Sequence, residues 1–392
     1  MPIFPKPYPD EIIGSVIARA SFQAGRPLTL FLASLFGRQR NTASFLMSGD
    51  TKRIAHLIGL TPLDLIQRHT IFPYAVAFAS KKDQLRYLNK AISRNFEEEC
   101  LGSLTKNISH GVPARRICLD CIKDDFERYG ESFWRRSHLL PGVLTCSIHR
   151  RALRFTTIPL RGHTQIRSSV LPNLNMASFE NTFDIDDSIF NVLTSRSVQA
   201  LNSEIEPRTN WPSVYRIEAM KKGYQMPRNA IPGRKLSIDM MHFFGEKLLQ
   251  DAGCNFSVDV QSPWPALLVR DVVGLPFSTP RHIFFQTFCL LAPECDGFLN
   301  YQMPGKQPIN FALADKKAAK KIEQILQLQA KDGTRITVKE LLQRAEIWRS
   351  FLHNRTRYPQ TNFLIQQFRS SDLSERQLGL RLKWRKSHQK NP

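Results

Sequence analysis

The sequence predicts a mainly α-helical, multidomain protein that contains a small zinc-finger module of the Cys3His type. Apolar residues recur at helical spacing in several separate segments. Two pairs of metal-ligand residues, each with a gap of two residues, lie between positions 118 and 149. The length of 392 residues suits a few domains of roughly 100 to 200 residues each. With 42% hydrophobic residues the chain can form buried cores, which excludes a disordered or collagen-like protein.

The N-terminal part predicts a bundle of short helices. Apolar residues at helical spacing indicate a helix over about 10–24 and a second over Leu28–Phe36. Asp50 is placed to cap a third helix, and Thr61 followed by Pro62 is typical of the start of a fourth. Short helices joined by tight turns suit a helix-turn-helix region. A helical bundle without a nucleic-acid role would show the same pattern, so both interpretations stay open.

Helical periodicity returns in the second half of the chain. The predicted helices cover Leu236–Leu249, His282–Ala292 after a start at Thr279, Ala314–Gln329, Val338–Phe351 after a cap at Thr337, and Ser374–Trp384. The resulting domain prediction is an N-terminal helical domain over 1–110, a zinc-finger module over 111–156, an interdomain region or small subdomain over 157–235, a helical core or partner segment over 236–310, and a basic, helical, DNA-binding C-terminal domain over 311–392.

The charge of the chain favours a polyanionic partner. With 55 Lys and Arg against 34 Asp and Glu, the net charge is +21. Residues 311–392 contain 18 basic and 7 acidic residues, whereas 236–310 contain 4 and 7. The terminal segment is therefore the main candidate for nucleic-acid contact, with a solvated basic tail as the alternative. A membrane partner is excluded from the prediction, since the most apolar stretch, Ile283–Pro293, is about half as long as a spanning helix.

The strongest motif is a pair of metal-binding knuckles. Cys118 and Cys121 form the first pair, Cys146 and His149 the second, and 24 residues separate the pairs. A gap of two residues lets a tight turn aim both side chains at one ion, so the four residues predict a closed tetrahedral site. A site with four protein ligands leaves no position for water and is structural. The predicted cofactor is zinc.

The loop between the two knuckles supplies an apolar set that is expected to pack beside the ion. Its members are Phe126, Tyr129, Phe133, Trp134, Leu139, Leu140 and Val143. His138 is a rival ligand, but it lacks the paired spacing of the other four residues.

Basic residues near the knuckles and in the terminal segment are the candidates for DNA contact, because guanidinium and ammonium groups match phosphate oxygens. Some of the arginines could instead pair with nearby acidic residues such as Asp125 and Glu131. The predicted nucleic-acid-binding residues are Arg115, Arg116, Arg135, Arg136, Arg150, Arg151, Lys316, Lys317, Lys320, Lys321, Arg381, Lys383 and Arg385.

No enzyme signature is found in the sequence. The segment around Gly305 and Lys306 lacks the first glycine and the Ser or Thr of a phosphate-binding loop. A catalytic site made of carboxylates from distant positions is not excluded by spacing, although the acid count is low. A non-enzymatic protein is therefore expected. The proline-rich N-terminus and seven cysteines, an odd number, favour a reduced, cytoplasmic protein, and the expected DNA partner implies association with the nucleoid.

Several motifs resemble the TniQ/TnsD family of transposon target-site selectors, most closely its TnsD branch, over about residues 3–155. The resemblance rests on the two knuckles and on four further stretches, namely Phe4–Glu11, Ser15–Ala20, His69–Pro73 and Arg128–Trp134. The family often has proline after the first cysteine of each knuckle, where this chain has Leu119 and Ser147.

The resemblance implies a non-catalytic adaptor. Such a protein recognises a double-stranded DNA attachment site through its helix-turn-helix region and zinc module, and it recruits the AAA+ ATPase TnsC, which brings the transposase. The zinc ligands carry over as Cys118, Cys121, Cys146 and His149. Two alternatives stay open: an adaptor guided by a CRISPR effector complex, and a zinc-containing transcription regulator.

Overall fold

The computed structural model describes residues 4–36, 46, 50–93, 114–160, 171–176, 187–225, 230–258, 262–270, 278–295, 311–332 and 336–370. The described residues are mainly α-helical, which confirms the predicted class. The chain divides into two compact units, residues 1–299 and 300–392. No helix in the described ranges combines the length and the apolarity that crossing a membrane requires.

Short helices with local capping signals form the N-terminal part of the first unit. Asp50 accepts a hydrogen bond from the backbone N–H of Arg53, and Thr61 accepts one from Asp64, so both predicted caps are confirmed. Gly59 ends one helix with φ of 79°, a left-handed conformation that glycine adopts without strain. The helices are α1 (Ile13–Gln23), α2 (Leu28–Phe36), α3 (Thr51–Ile58), α4 (Pro62–His69), α5 (Phe72–Val76) and α6 (Lys81–Ile92).

A small β-hairpin-like sheet encloses the region of the two knuckles. Strand β1 (Ala114–Ile117) pairs antiparallel with β2 (Arg154–Pro159), so that Ile117 lies opposite Arg154. Helix α7 (Leu119–Tyr129) begins directly after Cys118 and ends at Gly130. The two ends of the knuckle region are thereby held side by side.

Five more helices complete the described part of the first unit: α8 (Asp187–Leu201), α9 (Trp211–Lys221), α10 (Gly233–Asp251), α11 (Trp264–Leu268) and α12 (Thr279–Leu291). The predicted helices after Leu236 and Thr279 are confirmed. Helix α10 is kinked at Gly245, whose φ of 72° and ψ of 150° are not helical.

Helices α8 and α9 lie in the segment that showed no clear periodicity in the sequence. The buried face of α8 contains Thr194 and Ser197 beside Leu193, so a scan for apolar residues misses it. The hydroxyl of Thr194 lies 2.8 Å from that of Thr145, which satisfies both groups inside the core. Tertiary pairing of polar side chains therefore stabilises a helix that hydrophobic spacing alone does not predict.

The second unit has its own core. Helices α13 (Phe311–Asp332), α14 (Val338–Arg344) and α15 (Trp348–His353) precede a helix through residues 359–370. Apolar side chains from all of them, including Ile322 and Ile365, form one buried cluster. The predicted helix Ser374–Trp384 lies outside the described residues.

The predicted single helix over Val338–Phe351 is wrong. Thr337 and Glu340 do form a capping box at its start, but α14 ends at Arg344. Glu346 then has φ of 63°, which breaks the helical path before α15 begins. The break lets Leu342 and Phe351 both reach the core, so packing overrides the local periodicity.

One continuous core joins distant parts of the first unit. It contains Tyr74 on α5, Trp134 after α7, Tyr215 on α9 and Phe285 on α12. A second, smaller cluster around Phe31 packs α1 to α4 together. The domain boundaries predicted within residues 1–299 stay predictions.

A buried ion network connects α1 to the loop after α7. Arg19 is 1% exposed and forms ion pairs with Glu11 at 2.9 Å and Glu131 at 2.6 Å. Its guanidinium also lies 4.0 Å from the centre of the Tyr8 ring. Burial raises the pKa of the Glu11 carboxyl, and the charge of Arg19 opposes that shift. The ionised form of Glu11 therefore depends on this guanidinium.

Replacement of Arg19 by Met should lower the free energy of unfolding of the first unit by about 3–5 kcal/mol at pH 7, because it leaves the buried Glu11 charge unpaired. Urea unfolding followed by tryptophan fluorescence measures the change. In the variant the pKa of Glu11 lies still further above its unfolded value, so stability falls as pH rises, and the loss should be smaller at pH 5.

Arg26→Met is the matched control, since Arg26 is exposed just after the same helix. It should change stability by less than about 0.5 kcal/mol. Equal losses in both variants, or an Arg19→Met loss that is independent of pH, would contradict a buried charge network.

Candidate metal centre

The structure brings the four predicted metal ligands together. Cys118 is the residue before α7, and Cys121 lies in the first turn of that helix. Cys146 and His149 lie in a tight turn whose ends are joined by a bridge between Thr145 and Ala152. One ligand atom from each of the four residues lies within 4.8 Å of the others. The cluster could therefore hold a metal ion.

The imidazole faces the sulfur atoms with its Nδ1. That nitrogen lies 3.3 Å from the Cys121 Sγ, 3.6 Å from the Cys118 Sγ and 3.8 Å from the Cys146 Sγ. The Sγ atoms of Cys121 and Cys146 are 3.6 Å apart. The Nδ1 atom is thus within 3.8 Å of all three sulfurs, which is close enough for one ion to contact all four atoms.

The surroundings differ for the thiols and the imidazole. The three cysteines are buried, whereas the His149 side chain is 22% exposed. Hydrogen bonds with Cys118 and Cys121 lower the pKa of the Cys146 thiol to about 2, while hydrogen bonds with Cys118 and Cys146 raise that of Cys121. A cation among the three sulfurs would stabilise the thiolate form of each.

Asp124 is a member of the site that the sequence did not indicate. Its Oδ2 lies 3.0 Å from the His149 Nε2, on the side of the ring that faces away from the sulfurs. A carboxylate at this nitrogen fixes the ring orientation and leaves Nδ1 as the metal-binding atom. One feature of the sequence could have indicated Asp124. It lies three residues after Cys121, so the two side chains are on neighbouring turns of the same helix, α7.

The apolar support of the site is close to the prediction. Trp134, Leu139 and Leu140 are buried in the same core cluster as the three cysteines. Phe126, which was expected to pack beside the ion, is instead 46% exposed. His138, the rival ligand in sequence, is buried outside the cluster, and burial lowers its pKa to about 4.

Two arginines predicted to contact DNA are buried in strand β1. Arg115 is fully buried with its guanidinium 5.1 Å from the Trp134 ring centre. Arg116 donates to the backbone carbonyls of His138 at 2.9 Å and Leu140 at 2.5 Å. Burial lowers the pKa of each guanidinium to about 9. The predicted phosphate contacts of these two residues are wrong, because both guanidinium groups are buried inside the protein.

Arg135 and Arg136 are also engaged within the first unit. The Arg135 side chain, 11% exposed, pairs with Asp125 at 2.5 Å. Arg136 is buried, pairs with Asp10 at 3.1 Å and donates to the carbonyl of Gln67. The predicted DNA contact of Arg136 is therefore wrong. For Arg135, the structure shows the alternative interpretation, an ion pair with the nearby Asp125.

The other predicted basic residues have different surroundings. Arg150 and Arg151 are exposed in the turn of the second knuckle, and Lys316, Lys317 and Lys320 are exposed on α13. Lys321 forms an ion pair with Glu346 at 3.1 Å. Arg381, Lys383 and Arg385 lie outside the described residues. DNA contact by all of these residues stays a prediction.

The remaining cysteines are not part of the cluster. Cys254 is fully buried, and burial raises the pKa of its thiol to about 12. Cys289 and Cys295 are partly buried in the core of the first unit. Cys100 lies outside the described residues. A core role fits the three that the structure describes.

Comparison with known proteins places the N-terminal part in a family. Residues 2–153 match the TniQ family model. This range contains α1 to α7 and all four residues of the cluster. Residues 2–153 are therefore similar to the TniQ family, and the predicted resemblance to the TniQ/TnsD family is confirmed over this range.

A curated relative agrees with this assignment. The chain is 32% identical over 160 residues to "Transposon Tn7 transposition protein TnsD" from Escherichia coli. The alignment covers 37% of this chain and 30% of that protein. The chain thus spans less than a third of the length of the relative it matches.

Replacement of Asp124 by Asn should weaken Zn²⁺ binding about 10- to 100-fold, because the carboxylate no longer orients His149 and raises its basicity. Competition with a chromophoric chelator measures the affinity. Glu127→Gln is the matched control, since Glu127 is exposed one turn further along α7. If both variants bind Zn²⁺ as tightly as the unaltered chain, Asp124 has no role in the site.

Proposed function

We propose that this chain selects the DNA target site of a transposon. It binds a double-stranded attachment site and recruits an AAA+ ATPase of the TnsC type, without catalysing a reaction itself. The observation that carries the proposal is the TniQ domain over residues 2–153 together with its similarity to a transposition protein. The adaptor role implied by the family accounts for the lack of enzyme motifs in the sequence.

Helices α3 and α4 are the candidate helix-turn-helix pair. They contact each other and are joined by only three residues, 59–61, with left-handed Gly59 at the turn. Leu65 and Ile66 hold α4 on the core, while Gln67 and Arg68 are exposed. In such pairs the second helix enters the major groove, so α4 is the proposed recognition helix.

Exposed basic side chains accompany this pair. Lys52 and Arg53 are exposed at the start of α3, on a helix whose described residues contain no acidic side chain. Arg68 on α4 lies 3.6 Å from Asp64, an exposed pair that contributes little to stability and can exchange its partner for a phosphate. Phosphate contacts position such a domain on the duplex, and contacts with base edges specify the site.

We propose zinc as the ion of the Cys3His cluster. Bonds of about 2.3 Å to sulfur and 2.0–2.1 Å to nitrogen in a tetrahedron place neighbouring ligand atoms roughly 3.5–3.8 Å apart. Four separations between these ligand atoms lie from 3.3 to 3.8 Å. Three thiolates and one imidazole suit zinc and leave no open coordination position, so the ion would be structural.

Purified protein should contain one zinc per chain, and Cys118→Ser should release it and unfold the knuckle region, because structural zinc contributes folding free energy. Inductively coupled plasma mass spectrometry measures the metal content. Cys289→Ser, which changes a partly buried cysteine outside the cluster, should retain the ion. Zinc absent from the unaltered protein, or retained fully by Cys118→Ser, would refute the assignment.

The ATPase is proposed to contact the N-terminal region or the weakly acidic segment 236–310. That segment contains 7 acidic and 4 basic residues, which distinguishes it from the basic remainder of the chain. A negatively charged surface is poorly suited to phosphate and well suited to a protein partner. Binding of the ATPase by the second unit would count against this placement.

If the chain recognises DNA directly, it should bind one duplex site selectively in an electrophoretic mobility-shift assay. Its affinity for that duplex should fall steeply as the salt concentration rises. The probe is a duplex that spans the junction of the element with its flanking DNA, and a scrambled duplex of equal length is the competitor. Arg68→Ala should reduce the preference about tenfold, because α4 then loses a side chain at the groove.

Arg86→Ala provides the control for this experiment. Arg86 is an exposed arginine in the same unit that also pairs with an aspartate one turn away, here Asp83 at 2.9 Å. It should leave the preference unchanged. An unaltered chain without site preference at moderate salt would overturn the proposed function, and equal effects of the two variants would overturn the assignment of α4.

A further inference from the structure

We propose that the helix through residues 359–370 of the second unit is a second recognition element, which lies in the major groove of duplex DNA and reads adenine with its glutamines. This inference rests on the proposed function. It assigns base contacts to a part of the chain outside the TniQ domain.

The helix is held firmly by its inner face. Thr361 and Ile365 are buried, and Leu364 and Phe368 are partly buried against the core of the second unit. Its position is therefore fixed by packing against α13 to α15, as a recognition helix requires.

A carboxylate from another helix caps its first turn. Asp315 on α13 is 2% exposed and accepts hydrogen bonds from the backbone N–H groups of Gln360 and Thr361, each at 2.9 Å. The cap satisfies two N–H groups that a helix start leaves without partners. It also ties the start of the helix to α13, so the outer face is presented in a defined direction.

The outer face has the chemistry that reads base edges. Gln360, Phe363, Gln366 and Gln367 are exposed. At 100° per residue the last three lie on the side opposite the buried Thr361 and Ile365, and Gln360 lies at the edge of that side. A glutamine amide offers the donor and acceptor pair that adenine N7 and N6 match in the major groove. Phe363, 58% exposed, suits contact with a thymine methyl group.

The charge around the helix favours a polyanion such as duplex DNA over a neutral or basic protein surface. Residues 347–370 contain no Asp or Glu and include four arginines. Arg355 and Arg357 are exposed just before the helix, and Arg369 is exposed near residue 370. Cations at both ends of an amide-bearing face match the two phosphate backbones that border the groove.

The two arginines just before the helix are oriented by contacts within the protein. Arg355 Nε donates to the Asn362 Oδ1 at 2.8 Å, and the Arg357 guanidinium lies 4.8 Å from the Phe311 ring centre. Because these side chains are already ordered, less conformational entropy is lost when they meet phosphate.

The test is selection of bound duplexes from a pool of random 25-base-pair DNA by the full, zinc-loaded chain. Gln360→Ala combined with Gln367→Ala should remove adenine preference at one or two positions of the selected sequence. Affinity for the sequence selected by the unaltered chain should fall about 10- to 100-fold. Affinity for an unrelated duplex at low salt should stay the same, because phosphate contacts remain.

The control is Gln324→Ala combined with Gln327→Ala, which removes two exposed amides from α13 in the same unit. It should leave the selected sequence and the affinity unchanged. Since all four glutamines are exposed, circular dichroism should show both proteins fully folded.

The outcomes separate this inference from the proposed function. A selected sequence that the Gln360/Gln367 variant still binds equally well overturns the inference and leaves the proposed function in place. The same holds if the variant loses only the ATPase in a pull-down, which would make the helix a protein-binding surface. If the unaltered chain selects no sequence, both proposals fail.

Discussion

The buried pairing of Arg19 with Glu11 and Glu131 is the interaction on which the TniQ domain depends. It joins the segment before α1 to the loop after α7, which lie more than a hundred residues apart in the chain. Backbone bonds reinforce the junction, since the N–H of Ile12 donates to the carbonyl of Trp134 at 3.0 Å. Three of the stretches that carry the family resemblance meet here. Their shared role in this chain is to hold the helices against the metal-ligand module, a role in structure and not in chemistry.

The same junction explains why the arginines near the knuckles turn inward. Arg116 and Arg136 satisfy backbone carbonyls, and Arg136 also pairs with Asp10 from the N-terminal segment. Such bonds stabilise the module, because each buried carbonyl without a partner would cost free energy. The basic surface proposed for DNA is therefore narrower than the net charge suggests, and it includes exposed groups on α3, α4, the second knuckle and the second unit.

Local signals in the sequence predicted much of the fold and of the site. The caps at Asp50, Thr61 and Thr337 were predictable because a side chain bonds to a backbone N–H only two or three residues away. The four ligands were predictable because a gap of two residues has a specific metal-binding geometry. The role of Asp124 was not predictable, because an acidic residue on a helix can have many roles. Only the position of the His149 ring in the folded chain shows that Asp124 orients it. The helix through 359–370 was missed although Leu364 and Phe368 have helical spacing, because the cap that Asp315 provides at its start comes from a distant part of the chain.

By itself, the sequence determined the helical class, the knuckle pairs and the resemblance to the TniQ/TnsD family, all of which rest on residues close together in the chain or on matched motifs. The tertiary structure decided which charges are inside and which are outside. Burial of Arg115, the break at Glu346 and the capping of residues 360 and 361 by Asp315 each depend on groups brought together from distant positions. The spacing of residues in a sequence carries no information on such contacts. The same charged residue can be solvated by water, donate to a backbone carbonyl or bind a phosphate, and only the fold decides between these environments.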